Sequence, residues 1–365
     1  MTRYLIRYIL VFALLFIIPV MAGVTLYGSP QDISGVVNTY ARVNTVESQD
    51  AVILDDVSGF SDGDTVLVIQ MKGVSVQLTQ SGGFGTAVQY VGEPGYYEFI
   101  IVELVEPGPK RLTFRSNLMG HSTYDTTGFI QVIKVPSYES ATVTGELSCA
   151  PWDSISGTGG VLALTVNKKL SLNADIDVTG KGFKGGPAAI LDGTPFDDTL
   201  FYYPESSIVA GRKGESMASH IVDFTTELYL DTIAKGIGAL YTGGGGATGE
   251  YSGAGGGAGF GQGGNGFRQR STGFLISGIG GWGVDATYFS DRVIMGGGGG
   301  GSGDDNADGT GTGGAPGGGM VFLLTDSLIG NGHAIKANGD SLIAIAEGNA
   351  GAGGGRWCRI TGFIS

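Results

Sequence analysis

Asp304-Asp305-Asn306-Ala307-Asp308-Gly309 is the stretch whose spacing points most directly to chemistry. It contains D-x-N-x-D-G, the opening of a calcium loop. Asp304, Asn306 and Asp308 at alternate positions can turn oxygens inward, Gly309 allows the sharp turn, and Thr310 offers a carbonyl. The closing position of such a loop falls on Ala315 instead of a bidentate glutamate. A polar turn capping the glycine array is therefore the expectation, with a partial, weak Ca²⁺ site on Asp304, Asn306, Asp308 and Thr310 as the alternative. No other cofactor is expected.

The remaining chemical signals are poorer. Gly180-Lys-Gly-Phe-Lys-Gly185 fits G-x-G-x-x-G, but the dinucleotide fingerprint needs a helix after it, and Gly186-Pro187 breaks one. His121, His220 and His333 are too far apart for a helical metal motif. Asp55-Asp56 and Asp197-Asp198 sit beside turn residues and read as solvated loops. No G-x-S-x-G elbow or phosphate loop occurs. The sequence thus nominates no catalytic residue, although glycosidase carboxylates, separated along a chain, would escape this kind of inspection.

Composition narrows the class. The formal net charge is −13, so a phosphate backbone is repelled and nucleic acid is not an expected partner. Hydrophobic residues make up 42% and charged residues 15%, unlike a disordered chain. Residues 1–22 read as a secretory signal: Arg3 and Arg7, an apolar core from Tyr8 to Val20, then Met21-Ala22. Beyond it no run is long and apolar enough for a transmembrane span. A secreted or outer-surface protein is expected. Cys149 and Cys358 are the two cysteines, too few for a disulfide scaffold, and they either pair or stay separate.

The elements are organised around glycine. The chain holds 69 Gly in 365 residues, concentrated between Gly236 and Gly319. Such a tract is either a flexible linker or an ordered array of polyproline-II-like chains with about three residues per turn. Large apolar residues among the glycines, including Phe260, Phe267, Phe274, Leu275, Ile276, Trp282, Tyr288, Phe289, Val293, Ile294 and Met295, call for burial and so predict the ordered array.

The rest of the chain reads as all-β. Residues 33–135 predict a small antiparallel barrel or sandwich, with strands at Ala51–Leu54, Thr65–Gln70, Tyr96–Val105, Arg111–Arg115 and Phe129–Val135. Residues 136–158 read as a connector. Residues 159–355 predict a β-sheet domain containing the polyglycine array over 236–319. Within it a strand–turn–strand unit occurs twice, matching Gly160 to Gly319, Leu164 to Leu323, Ile176 to Ile335 and Gly180 to Gly339. Pairing the copies in one sheet would extrude the glycine loops between them. Ser219–Lys235, with Ile221, Val222, Phe224, Leu228 and Ile233, is the best helical candidate.

Several segments together resemble the N-terminal region of large secreted surface proteins of Bacteroidetes. They are GFSDGDTVLVIQMKG at 59–73, YEFIIV at 97–102, ATVTG at 141–145, CAPW at 149–152, GGVLAL at 159–164 and LNADIDVTGKGF at 172–183. The resemblance covers most of residues 33–355. It implies an adhesin-like, non-catalytic surface role and type IX secretion or gliding-motility association. The glycine runs with interspersed aromatics also resemble, in composition, the glycine-rich extracellular domain of anaplastic lymphoma kinase receptors. The tail Arg356–Ser365 departs from the pattern, and a one-base shift could restore Gly-Gly-Ala-Gly-Leu-Leu-Asp-Leu. A frameshifted tail on an N-terminal piece of a larger adhesin is the expectation, with an extracellular surface or glycan as partner. The alternative is a carbohydrate-active or carbohydrate-binding secreted β protein.

Overall fold

The computed structural model of the chain describes residues 29–189, 200–219, 221–223, 228–249, 252–270, 273–285, 287, 292–303 and 311–341. No α-helix occurs among them. The strands are β1 (Gln31–Val36), β2 (Tyr40–Ser48), β3 (Ala51–Leu54), β4 (Thr65–Gln70), β5 (Val74–Val76), β6 (Ala87–Tyr90), β7 (Tyr97–Glu106), β8 (Arg111–Phe114), β9 (Ile130–Lys134), β10 (Ser137–Tyr138), β11 (Ala141–Ser148), β12 (Val161–Leu172), β13 (Ile176–Asp177), β14 (Ile221–Asp223), β15 (Leu228–Tyr229), β16 (Gly266–Arg270), β17 (Gly273–Gly278), β18 (Met320–Ile329) and β19 (Ile335–Lys336).

The fold class expected from sequence is the one found. Strands β2-β3-β8-β7-β4-β9 close into an antiparallel barrel. Closure removes the free edges that would otherwise template aggregation. Strand β4 is buried along nearly its whole length because it faces two cores. Val66 and Val68 point into the barrel with Val102, Leu112 and Val132. Leu67 and Ile69 point outward and pack against Val161, Ala163 and Phe322.

Those last residues belong to a seven-stranded parallel sheet containing β1, β10, β11, β12, β13, β18 and β19. The internal repeat sets its register. Leu164 pairs with Leu323 in the β12–β18 ladder, and Ile176 with Ile335 in β13–β19. A third copy precedes the two seen in the sequence: Ala141 pairs with Leu170, Val143 with Leu172 and Leu147 with Ile176. Ile33 pairs with Val143, so β1 adds another layer below. The result is a stack of rungs whose aliphatic residues form columns and bury one another.

Two readings need correction here. Residues 136–158 were expected to connect; they carry β10 and β11, the latter inside the stack between β1 and β12. The helix expected over Ser219–Lys235 is not present. Its described parts form the antiparallel pair β14–β15 and a 3-10 turn at Leu230–Thr232. The β-branched and aromatic residues there prefer extended backbone, and that preference outweighs apolar spacing that also fits a helix.

Barrel and stack are tied by buried polar side chains. Asn38 Nδ2 donates to the carbonyls of Lys134 (2.9 Å) and Ala163 (2.6 Å), and its Oδ1 accepts from the Ala163 amide (3.1 Å). Tyr40 donates to the Val161 carbonyl at 2.7 Å, and burial raises its hydroxyl pKa. Asn38→Ala strands the buried Ala163 amide without its acceptor and is expected to cost about 1–3 kcal/mol in urea unfolding.

The glycine tract is an ordered lattice. Its central strand, 296–303, donates to three neighbours in strict rotation. Gly296, Gly299 and Ser302 donate to Gly318, Ala315 and Thr312, each at 2.9 Å. Gly297, Gly300 and Gly303 donate to Ala258, Gly255 and Ser252 at 2.8, 2.9 and 3.1 Å. Gly298 and Gly301 donate to Glu215 and Arg212, each at 2.9 Å. Two more neighbours donate back with the same period: Phe183, Gly186 and Ala189 to Gly296, Gly299 and Ser302, and Gly244 and Ala247 to Gly298 and Gly301. A partner that changes at every residue and returns at every third is the signature of polyproline-II geometry.

Glycine is required there for space. Gly296 to Gly301 all lie outside the positive-φ region. A Cβ on Gly298 would sit 2.0 Å from the Lys184 carbonyl oxygen, and one on Gly300 2.0 Å from that of Gly245. The expectation for the apolar residues of the tract holds in part. Val293, Ile294 and Met295 are buried in the central core, and Trp282 Nε1 donates to the Phe84 carbonyl at 2.9 Å. Phe260, Phe267 and Ile276 are exposed instead. Cys149 is buried, which pushes its thiol pKa up to about 12; Cys358 lies outside the described residues.

Candidate functional site

Two concave places combine shape with chemistry. The first is a groove of about 520 Å³ along the seam between barrel and stack. Tyr97 and Phe99 alternate on β7 and so share its outer face. They meet Phe322 of β18 edge to face, with ring centroids 4.8 Å (Tyr97) and 6.1 Å (Phe99) from it. Thr165, Asn167, Thr325 and Asp326 supply polar groups along the other wall.

A β-bulge aims two of these. Val166 pairs with Thr325 and Lys169 with Ser327, so Asn167 and Lys168 together face the single residue Asp326. Such a bulge bends its strand and redirects side chains. Asn167 and Asp326 are both solvent-exposed at the groove. An aromatic wall opposite amide, hydroxyl and carboxylate groups can hold a ligand with both a C–H face and polar substituents.

The second place is a cavity of about 330 Å³ where barrel, stack and glycine lattice meet. Lys72, two residues past the end of β4, reaches Glu215 at 2.6 Å, and both side chains are largely buried. Trp152 Nε1 donates to the same carboxylate oxygen at 2.9 Å, and the Lys184 amide to the other at 3.1 Å. Burial works to raise the Glu215 pKa, but the Lys72 charge and these hydrogen bonds hold it below the ordinary glutamate range. The rings of Phe183, Phe129 and Trp152 surround the Lys72 ammonium at 5.2, 5.7 and 6.0 Å.

Phe129 also carries backbone strain, with φ of 54°. That conformation is uncommon for a bulky residue and persists only where the surroundings enforce it. Here the Lys72 amide bonds the Gly128 carbonyl at 2.7 Å, the Met71 amide bonds the Phe129 carbonyl at 3.0 Å, and the Arg42 guanidinium lies 4.6 Å from the ring centre. Lys213, also in the wall, donates to the carbonyls of Phe201 (2.5 Å) and Gly236 (2.9 Å). Burial holds its pKa well below the lysine range. At the mouth, Lys184 pairs with Asp153 and Arg212 with Glu205, each at 3.2 Å. Hydrogen bonding from the Ile155 amide leads in lowering the Asp153 pKa to about 2.

Of the stretches singled out in the sequence for chemistry, only Gly180–Gly185 reaches either place, with Lys184 and Gly185 in the wall of the cavity. Asp304, Asn306, Asp308 and Thr310 lie outside the described residues, as do His220, Asp197 and Asp198. Among the described residues no cluster of three His, Cys, Asp or Glu side chains is arranged to hold a metal. The glycines of Gly180–Gly185 serve packing: Gly180 takes a turn at φ +66°, and a Cβ on Gly185 would sit 1.7 Å from the Gly314 carbonyl oxygen. His121 meets the Leu118 carbonyl at 3.0 Å, and His333 meets Asp175 at 3.2 Å. Asp55 and Asp56 accept hydrogen bonds from nearby backbone amides. Tyr97-x-Phe99 was visible as an aromatic pair on one strand face, but its partner Phe322 is reached only through the sheet pairing.

No family model matches the chain, and no curated protein matches it. Among solved structures, the tailspike protein gp49 from Pseudomonas phage LKA1 is similar at 13% identity over 40% of this chain. The match covers 23% of the tailspike chain with a TM-score of 0.18, too low to indicate a shared fold.

Proposed function

We propose that this is a secreted, non-catalytic surface protein that attaches to glycans through the seam groove. The groove itself carries the reading: the half-buried rings of Tyr97 and Phe99, backed by Phe322, line a site of about 520 Å³ together with Asn167, Asp326 and two threonines. A sugar ring offers a C–H face to an aromatic and hydroxyls to amides and carboxylates. The acidic net charge of −13 argues against nucleic acid as the partner. Among the groove's lining residues Asp326 is the one carboxylate, whereas both standard glycosidase geometries use a pair.

A glycan array with the full chain is expected to show selective binding. Asn167→Ala and Asp326→Ala, at exposed positions, should each weaken it about tenfold while leaving the melting temperature unchanged. Phe99→Ala should weaken it further. No binding by the wild type, or binding indifferent to all three substitutions, rules the groove out. Release of reducing ends from a bound glycan would instead support the carbohydrate-active alternative.

A further inference from the structure

We propose that the junction cavity is a second binding site, for a small organic anion the size of one acidic sugar residue. Four cationic side chains line its wall, Lys72, Lys184, Arg212 and Lys213, together with Glu215. Lys72 is neutralised in place by Glu215 at 2.6 Å, and Lys213 is engaged by two carbonyls. The two mouth cations are different. Lys184 and Arg212 are each held by a carboxylate at 3.2 Å, and all four side chains are about half exposed. Exposed pairs of this kind are weak and readily exchanged. A carboxylate or sulfate entering the cavity competes with Asp153 for Lys184 and with Glu205 for Arg212, and the guanidinium fork of Arg212 gives directional contact.

The body of such a ligand has its own surface. The strained Phe129 ring, Pro187, Leu230 and Leu240 line the same space. About 330 Å³ lies at the lower end of small-molecule sites. The cavity lies outside the seam groove and shares no lining residue with it.

Calorimetric titration of the full chain with glucuronate, and with glucose as the uncharged twin, tests this. Glucuronate is expected to bind, and glucose about tenfold more weakly or not at all. Raising salt from about 20 to about 200 mM should weaken glucuronate binding. Arg212→Ala and Lys184→Ala should each weaken it about fivefold or more. Asp153→Asn and Glu205→Gln should tighten it, since they remove the competing carboxylates while keeping the side-chain shape, a gain that a purely structural role does not give. Asn167→Ala in the seam groove should leave it unchanged. Absence of binding up to about 10 mM in the wild type and in the Asp153→Asn/Glu205→Gln double variant overturns the proposal. So does binding that Arg212→Ala leaves intact.

Discussion

Gly300→Ala is expected to destabilise the protein by about 3 kcal/mol or more, the upper end for inserting a single methyl into a packed interior. The methyl would lie 2.0 Å from the Gly245 carbonyl oxygen and 2.5 Å from its carbon. The obstacle is backbone, not a side chain that can rotate away, and Gly245 is itself bonded to Ile279 at 2.7 Å and to Gly255 at 2.8 Å. Relieving the contact therefore displaces several chains at once. Gly298→Ala should behave alike, its methyl meeting the Lys184 carbonyl oxygen at 2.0 Å. The controls lie in the same tract: Gly261 and Gly264 have nothing within 4 Å of the added atom, and neither is at positive φ. Alanine there should be within about 1 kcal/mol of wild type, or slightly stabilising, because it narrows the unfolded ensemble. Thermal and urea melts of the four variants decide it. Equal effects at Gly300 and Gly261 would mean that the lattice does not exist in solution.

The second large effect is expected at the buried ion pair. Glu215→Ala leaves the Lys72 ammonium, the Trp152 indole and the Lys184 amide without their acceptor. Breaking a buried pair in this way costs about 3–5 kcal/mol. Lys72→Met combined with Glu215→Gln should recover most of that, because no uncompensated charge remains, the thioether packs among the same three rings and the amide oxygen still accepts from Trp152. The pH dependence has a definite sign. The folded-state pKa of Glu215 is lowered, so its contribution is complete above the unfolded glutamate value of about 4.3 and is lost as pH falls through the still lower folded value. The double variant should lose that part of the acid sensitivity. A single-substitution penalty no larger than that of an ordinary surface change, under about 0.5 kcal/mol, would contradict the pairing.

What the sequence disclosed and what it hid follow from the range of each interaction. Ala51–Leu54 and Thr65–Gln70 were legible as strands because alternation and flanking turns are local. Tyr96–Val105 and Arg111–Arg115 were legible for the same reason, and they form the antiparallel β7–β8 pair. Even long-range register was readable where the chain repeats itself, as with Leu164 and Leu323. The role of β1 was not readable. Gln31–Val36 is exposed at nearly every position, so nothing in its pattern tells the barrel from the stack. The helical reading of Ser219–Lys235 failed because sparse apolar residues can satisfy two periods at once. Both candidate sites were hidden because they are assembled from distant segments. Lys72 and Glu215 are unremarkable charges in sequence until the glycine lattice brings Arg212–Glu215 against the end of β4. The Phe129 strain is visible only in the backbone.

The junction cavity exists only if the glycine tract is a scaffold. Hydrogen exchange on the full chain, followed at Gly296 to Gly301, tests this most directly. Each of these amides donates to a neighbouring segment at 2.8–2.9 Å in the lattice interior. They are expected to exchange only through large-scale unfolding, with protection equal to that of the barrel strand β4. Exchange at random-coil rates, with β4 still protected, would show a flexible linker and remove the support for the cavity.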